Sequence, residues 1–286
     1  MVRPLDLGNF PTPLESAPRL AAALGLEELW IKRDDLIGLG GGGNKARKLR
    51  YTCAEALAAG ATTLVTTGAP QSNHARATAA TAARLGLACV LVLAGHAPVR
   101  ETGNLILDRL AGAEIVWAGD KPADEVAATE GARRGAFLVP FGGSSPTSVA
   151  AYAECARELE AQAGFDRVVV AVGSGATMAG LVAGLGAERV LGFDTGAVPD
   201  PEAAVRALLP SNPGELAIDH GQIGPGYDTV TEPVRAALSM AARSEGLFLD
   251  PIYTGRAMAG LAATPDAGRR VVFLHSGGLP GLFALL

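Results

Sequence analysis

Lys45 follows four consecutive glycines, Gly40 to Gly43, and a single asparagine, and it opens a stretch that continues Ala46-Arg47-Lys48. Glycine admits backbone conformations closed to other residues and lets the main chain approach a ligand closely. A lysine held against that backbone loses hydration, which lowers its pKa and frees the amine for Schiff-base chemistry with a carbonyl group. The same letters also describe a flexible linker ahead of a basic, solvated helical turn, so the other motifs must decide.

The second motif is Gly173-Ser174-Gly175-Ala176-Thr177, which joins the valine-rich run 168–172 to an apolar helix. Amides of a first helical turn lack internal partners and carry the positive end of the helix dipole, so this turn is a candidate phosphate cradle. It is no P-loop, because no Gly-Lys-Ser/Thr follows, and no dinucleotide fingerprint, because Met178 stands where the third glycine belongs. The plainer alternative is a tight turn in which Ser174 or Thr177 only caps the helix. A third motif, Gln71-Ser72-Asn73-His74, also follows a valine-bearing strand, where ligands of parallel sheets bind, although Ser72 or Asn73 alone would serve as an ordinary helix cap. A fourth, His275-Ser276-Gly277-Gly278, delivers a hydroxyl and two glycines to the same edge, with His275 read as a packed histidine. Tyr227 and Tyr253 are each, taken singly, packing residues. A lysine, a phosphate cradle and several strand-end hydroxyls, with no carboxylate pair and no metal set, suit a phosphorylated aldehyde, pyridoxal 5′-phosphate.

Composition narrows the classes. The chain has 286 residues, 49% hydrophobic and 19% charged, which is globular and room for one large or two medium domains. A net charge of −5 gives no general attraction for nucleic acid or an anionic membrane, and no apolar run reaches the length of a membrane span. The cluster Lys45, Arg47, Lys48 and Arg50 could serve one anionic ligand or form a solvated helix face. The three cysteines share no metal-ligand spacing and read as small apolar residues in a reducing compartment. With no signal-peptide core at the start, a cytoplasmic protein is expected.

These motifs need elements to position them. Strands are predicted at 29–32, 62–67, 89–93, 114–117, 137–140, 167–172, 189–193 and 271–275. Helices are predicted at 46–59, 73–85, 102–110, 123–134, 146–163, 176–185, 202–209, 231–244 and 255–263. This βα alternation predicts an α/β fold with two open, twisted, mostly parallel sheets covered by helices on both faces, although an eight-stranded barrel fits the alternation as well. The expected layout is a larger domain from 1–48 and 161–286, interrupted by a smaller α/β domain at 49–160, with a cleft between. The proline-rich stretch 196–228 is expected to cover the site or an interface.

Five motifs in chain order, at Lys45, Gln71–His74, Gly173–Thr177, Asp250-Pro251-Ile252-Tyr253 and His275–Gly278, within a similarity that runs from about residue 9 to the C-terminus, resemble the pyridoxal-phosphate enzymes that include aminocyclopropane-carboxylate deaminase and D-cysteine desulfhydrase, of the tryptophan-synthase-β-like fold (fold-type II). Phe10-Pro11-Thr12-Pro13-Leu14 and Ile31-Lys32-Arg33-Asp34-Asp35-Leu36 look like this family too. The resemblance implies that Lys45 carries the cofactor and that Lys48 reaches its phosphate, which rests on Gly173, Ser174, Gly175, Ala176 and Thr177. It implies that Asn73 bonds the pyridine 3′-oxygen, that Gln71, Ser72 and Asn73 hold the substrate carboxylate, and that Tyr227 and Tyr253 are active-site tyrosines. Deaminases of the family carry glutamate after the second tyrosine, facing the pyridine nitrogen; Thr254 stands here, as in the desulfhydrases, and Ser276 replaces the threonine that meets the ring nitrogen in them. A hydroxyl there leaves the electron sink weaker than a carboxylate would, enough for loss of a thiolate. The implied activity is α,β-elimination from a small amino acid, foremost D-cysteine, giving hydrogen sulfide, ammonia and pyruvate. Alternatives are aminocyclopropane-carboxylate deamination, sulfite loss from cysteate, elimination from D-serine or chloro-alanine, a non-catalytic carrier of the cofactor or a phosphate ligand, and a nucleotide-binding module. The family also implies a homodimer. The chain is shorter than the family around 95–102 and 196–211.

Overall fold

In the computed structural model of the chain, which describes residues 3–285, the alternating pattern resolves into ten strands. They are β1 Leu14–Ser16, β2 Glu28–Lys32, β3 Thr63–Gly68, β4 Ala88–Leu93, β5 Glu114–Trp117, β6 Phe137–Leu138, β7 Arg167–Val172, β8 Val190–Asp194, β9 Ala217–Asp219 and β10 Arg270–Leu274. They form two open sheets, one of six strands in the order β1-β2-β10-β7-β8-β9 and one of four in the order β5-β4-β3-β6. Only β1 is antiparallel to its neighbour. A barrel of successive βα units would pair β2 with β3 in one closed sheet; here β3 pairs with β4 and β6 in a sheet separate from that of β2, and both sheets are open, which rules that alternative out.

Every predicted strand is present. The unpredicted β1 and β9 are three-residue edge strands, too short to establish an alternation of their own. The helices Pro18–Leu24 and Leu279–Leu285 are also additions, each of seven residues. The predicted helix 202–209 is shorter, Pro201–Arg206, with Asp200 accepting from Ala203 N at 2.8 Å as its cap.

Alternate residues of the larger sheet enter two different cores, as a parallel sheet covered on both faces requires. Val169, Leu191, Phe193, Val271 and Phe273 pack with the helices Pro18–Leu24, Glu232–Glu245 and Thr254–Ala263. Val168, Val170, Val172, Val190, Val272 and Leu274 pack with the helices Pro146–Gln162 and Ala176–Leu185. The smaller sheet has its own cores, in which Leu49, Cys53 and Ala56 of the helix Asn44–Ala58 cover β3 and β4. The helix Pro146–Gln162, assigned from sequence to the inserted segment 49–160, instead buries Val149, Tyr152, Cys155, Ala156 and Leu159 against the larger sheet. Its apolar side chains complete that sheet's cover. All three cysteines are buried and free. Among the described residues no helix is long and apolar enough to cross a membrane.

One buried group of the smaller half has a measurable cost. Asp108, on the helix Asn104–Leu110, is fully buried, and neither carboxylate oxygen has a hydrogen-bond partner among the described residues. Burial pushes this carboxyl from 3.8 up to about 7, against the opposing pull of Arg76 and Arg109. Between about pH 4 and 7 the folded chain therefore keeps a proton that the unfolded chain has released, and stability falls as pH rises through that window. Asp108→Asn removes this slope and stabilises the protein above pH 7 by at most about 4 kcal/mol. Urea unfolding of both proteins at pH 5 and pH 8 checks it: the variant's advantage must be larger at pH 8.

Candidate active site

The carboxyl ends of five strands face one cleft. From the larger sheet come Gly173 to Gly175 after β7, Gly196 and Ala197 after β8, and Ser276 and Gly277 after β10; from the smaller come Ala69, Ser72, Asn73 and His74 after β3, and Phe141 and Gly142 after β6. This is where parallel sheets leave room for ligands. Lys45 sits in it at the second position of the helix Asn44–Ala58. The start of that helix is tied to the larger sheet: Asn44 N donates to Ser276 O at 3.0 Å, and Asn44 Nδ2 donates to Thr177 Oγ1 at 3.1 Å.

Lys45 Nζ donates to Gly142 O at 3.1 Å, and burial pushes its amine from 10.5 down to about 8. Lys48 lies one helical turn on, lines the same pocket and is 1% exposed. Burial and the neighbouring Lys45 hold its pKa well below the usual lysine value, and among the described residues Lys48 Nζ has no acceptor. The other two members of the basic cluster leave the site. Arg47 pairs with Asp34 at 2.8 Å and Glu158 at 2.7 Å in a buried network that also includes Lys32, and Arg50 bonds Leu5 O and Glu154. The cluster is thus neither a solvated face nor one anion site; only the i, i+3 pair faces the pocket.

Opposite the lysines the helix Ala176–Leu185 begins at Gly175 with no side-chain cap, so its first amides are open to the pocket. Ser174 Oγ is 2.7 Å from Ser144 Oγ rather than capping. Ser72 does cap its helix, accepting from Ala75 N at 3.1 Å, and lines the pocket as well. Gln71 is placed differently from expectation. Its Nε2 donates to Thr102 O at 3.0 Å and its Oε1 accepts from Asn104 N at 2.9 Å, so it secures the segment 102–104 and lines only the wider outer opening. Thr254 is also elsewhere: fully buried, it donates to Asp250 Oδ1 at 2.7 Å in the turn that starts its helix and does not line the cleft. Ser276 does line it, beside the lysines, while His275 is buried with Phe248 O and Gly277 N as partners, as a packed histidine should be. Tyr227 and Tyr253 meet edge to face with hydroxyls 2.5 Å apart, and burial pushes both phenols up, so both are protonated at neutral pH.

Residues 5–277 match the family of pyridoxal-phosphate-dependent enzymes. The chain belongs to that family. It is 38% identical to a D-cysteine desulfhydrase of Yersinia enterocolitica over 98% of this chain and 95% of that protein. It is also 38% identical to a putative 1-aminocyclopropane-1-carboxylate deaminase of Pyrococcus abyssi, over 98% and 92% respectively. A crystal structure of an ACC deaminase homologue superposes with a TM-score of 0.88 at 33% identity, covering 98% of this chain and 93% of that one. A threonine deaminase structure, with a TM-score of 0.73 at 21% identity, shares the fold.

The cofactor of a pyridoxal-phosphate-dependent enzyme fits the residues present. A half-buried lysine, Lys45, and a buried one, Lys48, beside an uncapped helix start, with no Asp or Glu lining the pocket among the described residues, form a cationic site that suits an anion. Sequence reasoning missed Gly142, whose carbonyl meets Lys45; a Cβ there would lie 2.1 Å from Ser174 Oγ. The signal was available, since Phe141-Gly142-Gly143 is another strand-end glycine turn. It also missed Arg256, fully buried, whose Nη2 donates to the carbonyls of Gly226, Tyr227 and Thr229 at 2.9 Å each and whose Nη1 donates to Thr195 O. That clamp holds the turn bearing Tyr227 over the cleft. No local pattern announces it.

Proposed function

We propose that this pyridoxal-phosphate-dependent enzyme is a lyase that eliminates a β-substituent from a small amino acid, with D-cysteine as substrate and hydrogen sulfide, ammonia and pyruvate as products. The observation that carries the choice is the pocket wall: Ser276 lines it beside Lys45 and no carboxylate does, among the described residues. When bound, pyridoxal phosphate supplies an aldehyde that takes an amine and a ring that withdraws electrons from the bonds at Cα. With only a hydroxyl to meet the ring nitrogen that withdrawal is moderate, which suits loss of a thiolate better than opening of a cyclopropane. Thr254, turned into its own helix start, adds nothing to this; the distinction rests on Ser276.

Lys45 would hold the cofactor, and its Nζ, when free, would take the Cα proton; the depressed pKa keeps a usable fraction of neutral amine near neutral pH. Lys48 and the open amides at Gly175–Thr177 take the phosphate. Ser72 Oγ uses a lone pair to cap Ala75 N, which leaves its hydroxyl proton to donate to the substrate carboxylate. Asn73, at the first position of the same helix, lines the pocket beside it. Tyr227 and Tyr253, protonated and bonded to each other, line the space for the substrate side chain and can give a proton to the departing sulfur. Gln71 acts on the substrate only through the segment it secures. The 38% identity to proteins named D-cysteine desulfhydrase supports this reading, and the equal identity to a putative deaminase defines its rival.

Sulfide, pyruvate and 2-oxobutyrate release measured across D-cysteine, L-cysteine, cysteate and aminocyclopropane-carboxylate test the assignment. D-cysteine is expected to be turned over fastest, with sulfide and pyruvate in equal amounts. Rapid 2-oxobutyrate formation from the cyclopropane acid without sulfide from D-cysteine would overturn it.

A further inference from the structure

Behind Asn73 the polar side chains are joined head to tail. Arg76 Nη1 donates to Asn104 Oδ1 at 3.2 Å, and Asn104 Nδ2 donates both to Gln71 O at 2.8 Å and to Asn73 Oδ1 at 3.0 Å. Arg76 Nη2 also reaches Gly42 O at 2.9 Å, three residues ahead of Lys45. Arg76 and Asn104 are 1% and 0% exposed, so solvent cannot stand in for any of these partners. An amide can ordinarily be turned over, because its oxygen and nitrogen have the same shape. Asn104 cannot: a guanidinium has only donors and a main-chain carbonyl only accepts, so the reversed amide would place N–H against N–H and oxygen against oxygen. Its orientation then dictates that of Asn73, which must offer Oδ1 to Asn104 and is left with Nδ2 for the pocket it lines with Lys45.

We infer that Arg76 and Asn104 are positioning residues that lock the Asn73 amide as a donor toward the ring oxygen of the cofactor, while Arg76 also steadies the glycine turn that delivers Lys45. The inference rests on the proposed placement of the cofactor aldehyde at Lys45. In pyridoxal phosphate the two carbons flanking the one that bears the aldehyde carry the ring oxygen and the phosphate arm, so with the phosphate at the glycine turn the ring oxygen would be the other group close to the lysine amine. Ionised, that oxygen accepts and cannot donate, and an Asn73 amide turned the other way would face it with a second acceptor. A residue in direct contact with the ligand is thereby set by two that never touch it.

Asn104→Asp separates the locking from the packing. The carboxylate keeps the size of the side chain and its bond to Arg76 but has no N–H for Asn73, whose amide then turns its own Nδ2 away from the pocket. Binding of pyridoxine 5′-phosphate and of its 3-deoxy analogue to the full-length, cofactor-free chain is measured by titration calorimetry; neither ligand reacts with Lys45. The unmodified protein is expected to favour the hydroxyl-bearing ligand by about tenfold, one charge-assisted hydrogen bond. In Asn104→Asp that preference falls below about twofold on the same scale. A preference that survives unchanged in a folded Asn104→Asp overturns the locking role and leaves the Asn73 contact standing. No preference in the unmodified protein overturns the Asn73 contact and the lock together. Should the aspartate variant not fold, Asn104→Ala, which also removes the orienting donor, is read by the same ratio.

Discussion

Lys45→Ala leaves a folded protein that still takes up pyridoxal phosphate but no longer retains it after borohydride reduction and denaturation, and its rate of sulfide release from D-cysteine falls about 10,000-fold, the upper end for loss of a positioned general base. Lys45 is half-buried, and its one hydrogen bond is to Gly142 O, so truncation costs little stability. Lys48 and the uncapped helix start remain, and they are expected to hold the phosphate on their own. Mass spectrometry of the reduced proteins separates covalent from non-covalent retention. The pH dependence of cofactor capture by the unmodified, cofactor-free chain carries the sign. A lysine at its ordinary 10.5 would be almost wholly protonated at pH 8, whereas burial brings this amine down to about 8, so capture should accelerate as pH rises through 8 and then level off. A variant that keeps the cofactor through denaturation would move the attachment to another lysine, and Lys48 would be the first to examine.

Gly42→Ala should destabilise the fold by about 3 kcal/mol and weaken cofactor binding at the same time. Gly42 has φ +73°, and a Cβ there would lie 1.8 Å from Asp35 O, a main-chain atom that cannot swing aside. The turn would have to move, and with it the Gly42 carbonyl that accepts from Arg76 and the Gly43 amide that donates to Asp34 O at 3.0 Å. Those contacts fix the entry into the lysine helix, so the loss should be felt at Lys45 and not only in the melting curve. Gly60→Ala is the control: φ is +75°, but nothing lies within 4 Å of the added carbon, so only the cost of the left-handed conformation, about 1 kcal/mol, is expected. Urea unfolding of the three proteins, with phosphate-ligand titrations alongside, distinguishes a strained turn from a generally intolerant loop. Equal losses at positions 42 and 60 would deny Gly42 its special role.

Much of the molecule was legible in the order of its residues. Valine-rich runs between alanine-rich helices carry their own period, and they located eight of the ten strands within two residues at each end. A lysine after glycines and a glycine-rich turn before an apolar helix pointed to a phosphorylated aldehyde because few other groups need both. Less visible was anything decided across the cleft. The letters Lys45, Arg47 and Lys48 are equivalent as charge; the helix phase and the acids Asp34 and Glu158 send Arg47 into a buried network and leave the two lysines at the pocket. Gln71 stands in a motif that suggested contact with ligand, yet Thr102 and Asn104 occupy its polar atoms. The edge strands β1 and β9 exist through their neighbours β2 and β8.

By itself the sequence determined the α/β alternation, the cofactor's chemical class and the strand ends that line the cleft, because periodicity and turn chemistry are local. Only the tertiary structure decided that Gly142 would meet Lys45, that Arg256 would clamp the Tyr227 turn, that the helix Pro146–Gln162 would join the larger sheet, and that Asn73 would face the pocket with one particular end of its amide. The hydrogen bonds among these join residues roughly 30 to 100 positions apart, whose partners no window of neighbouring letters contains.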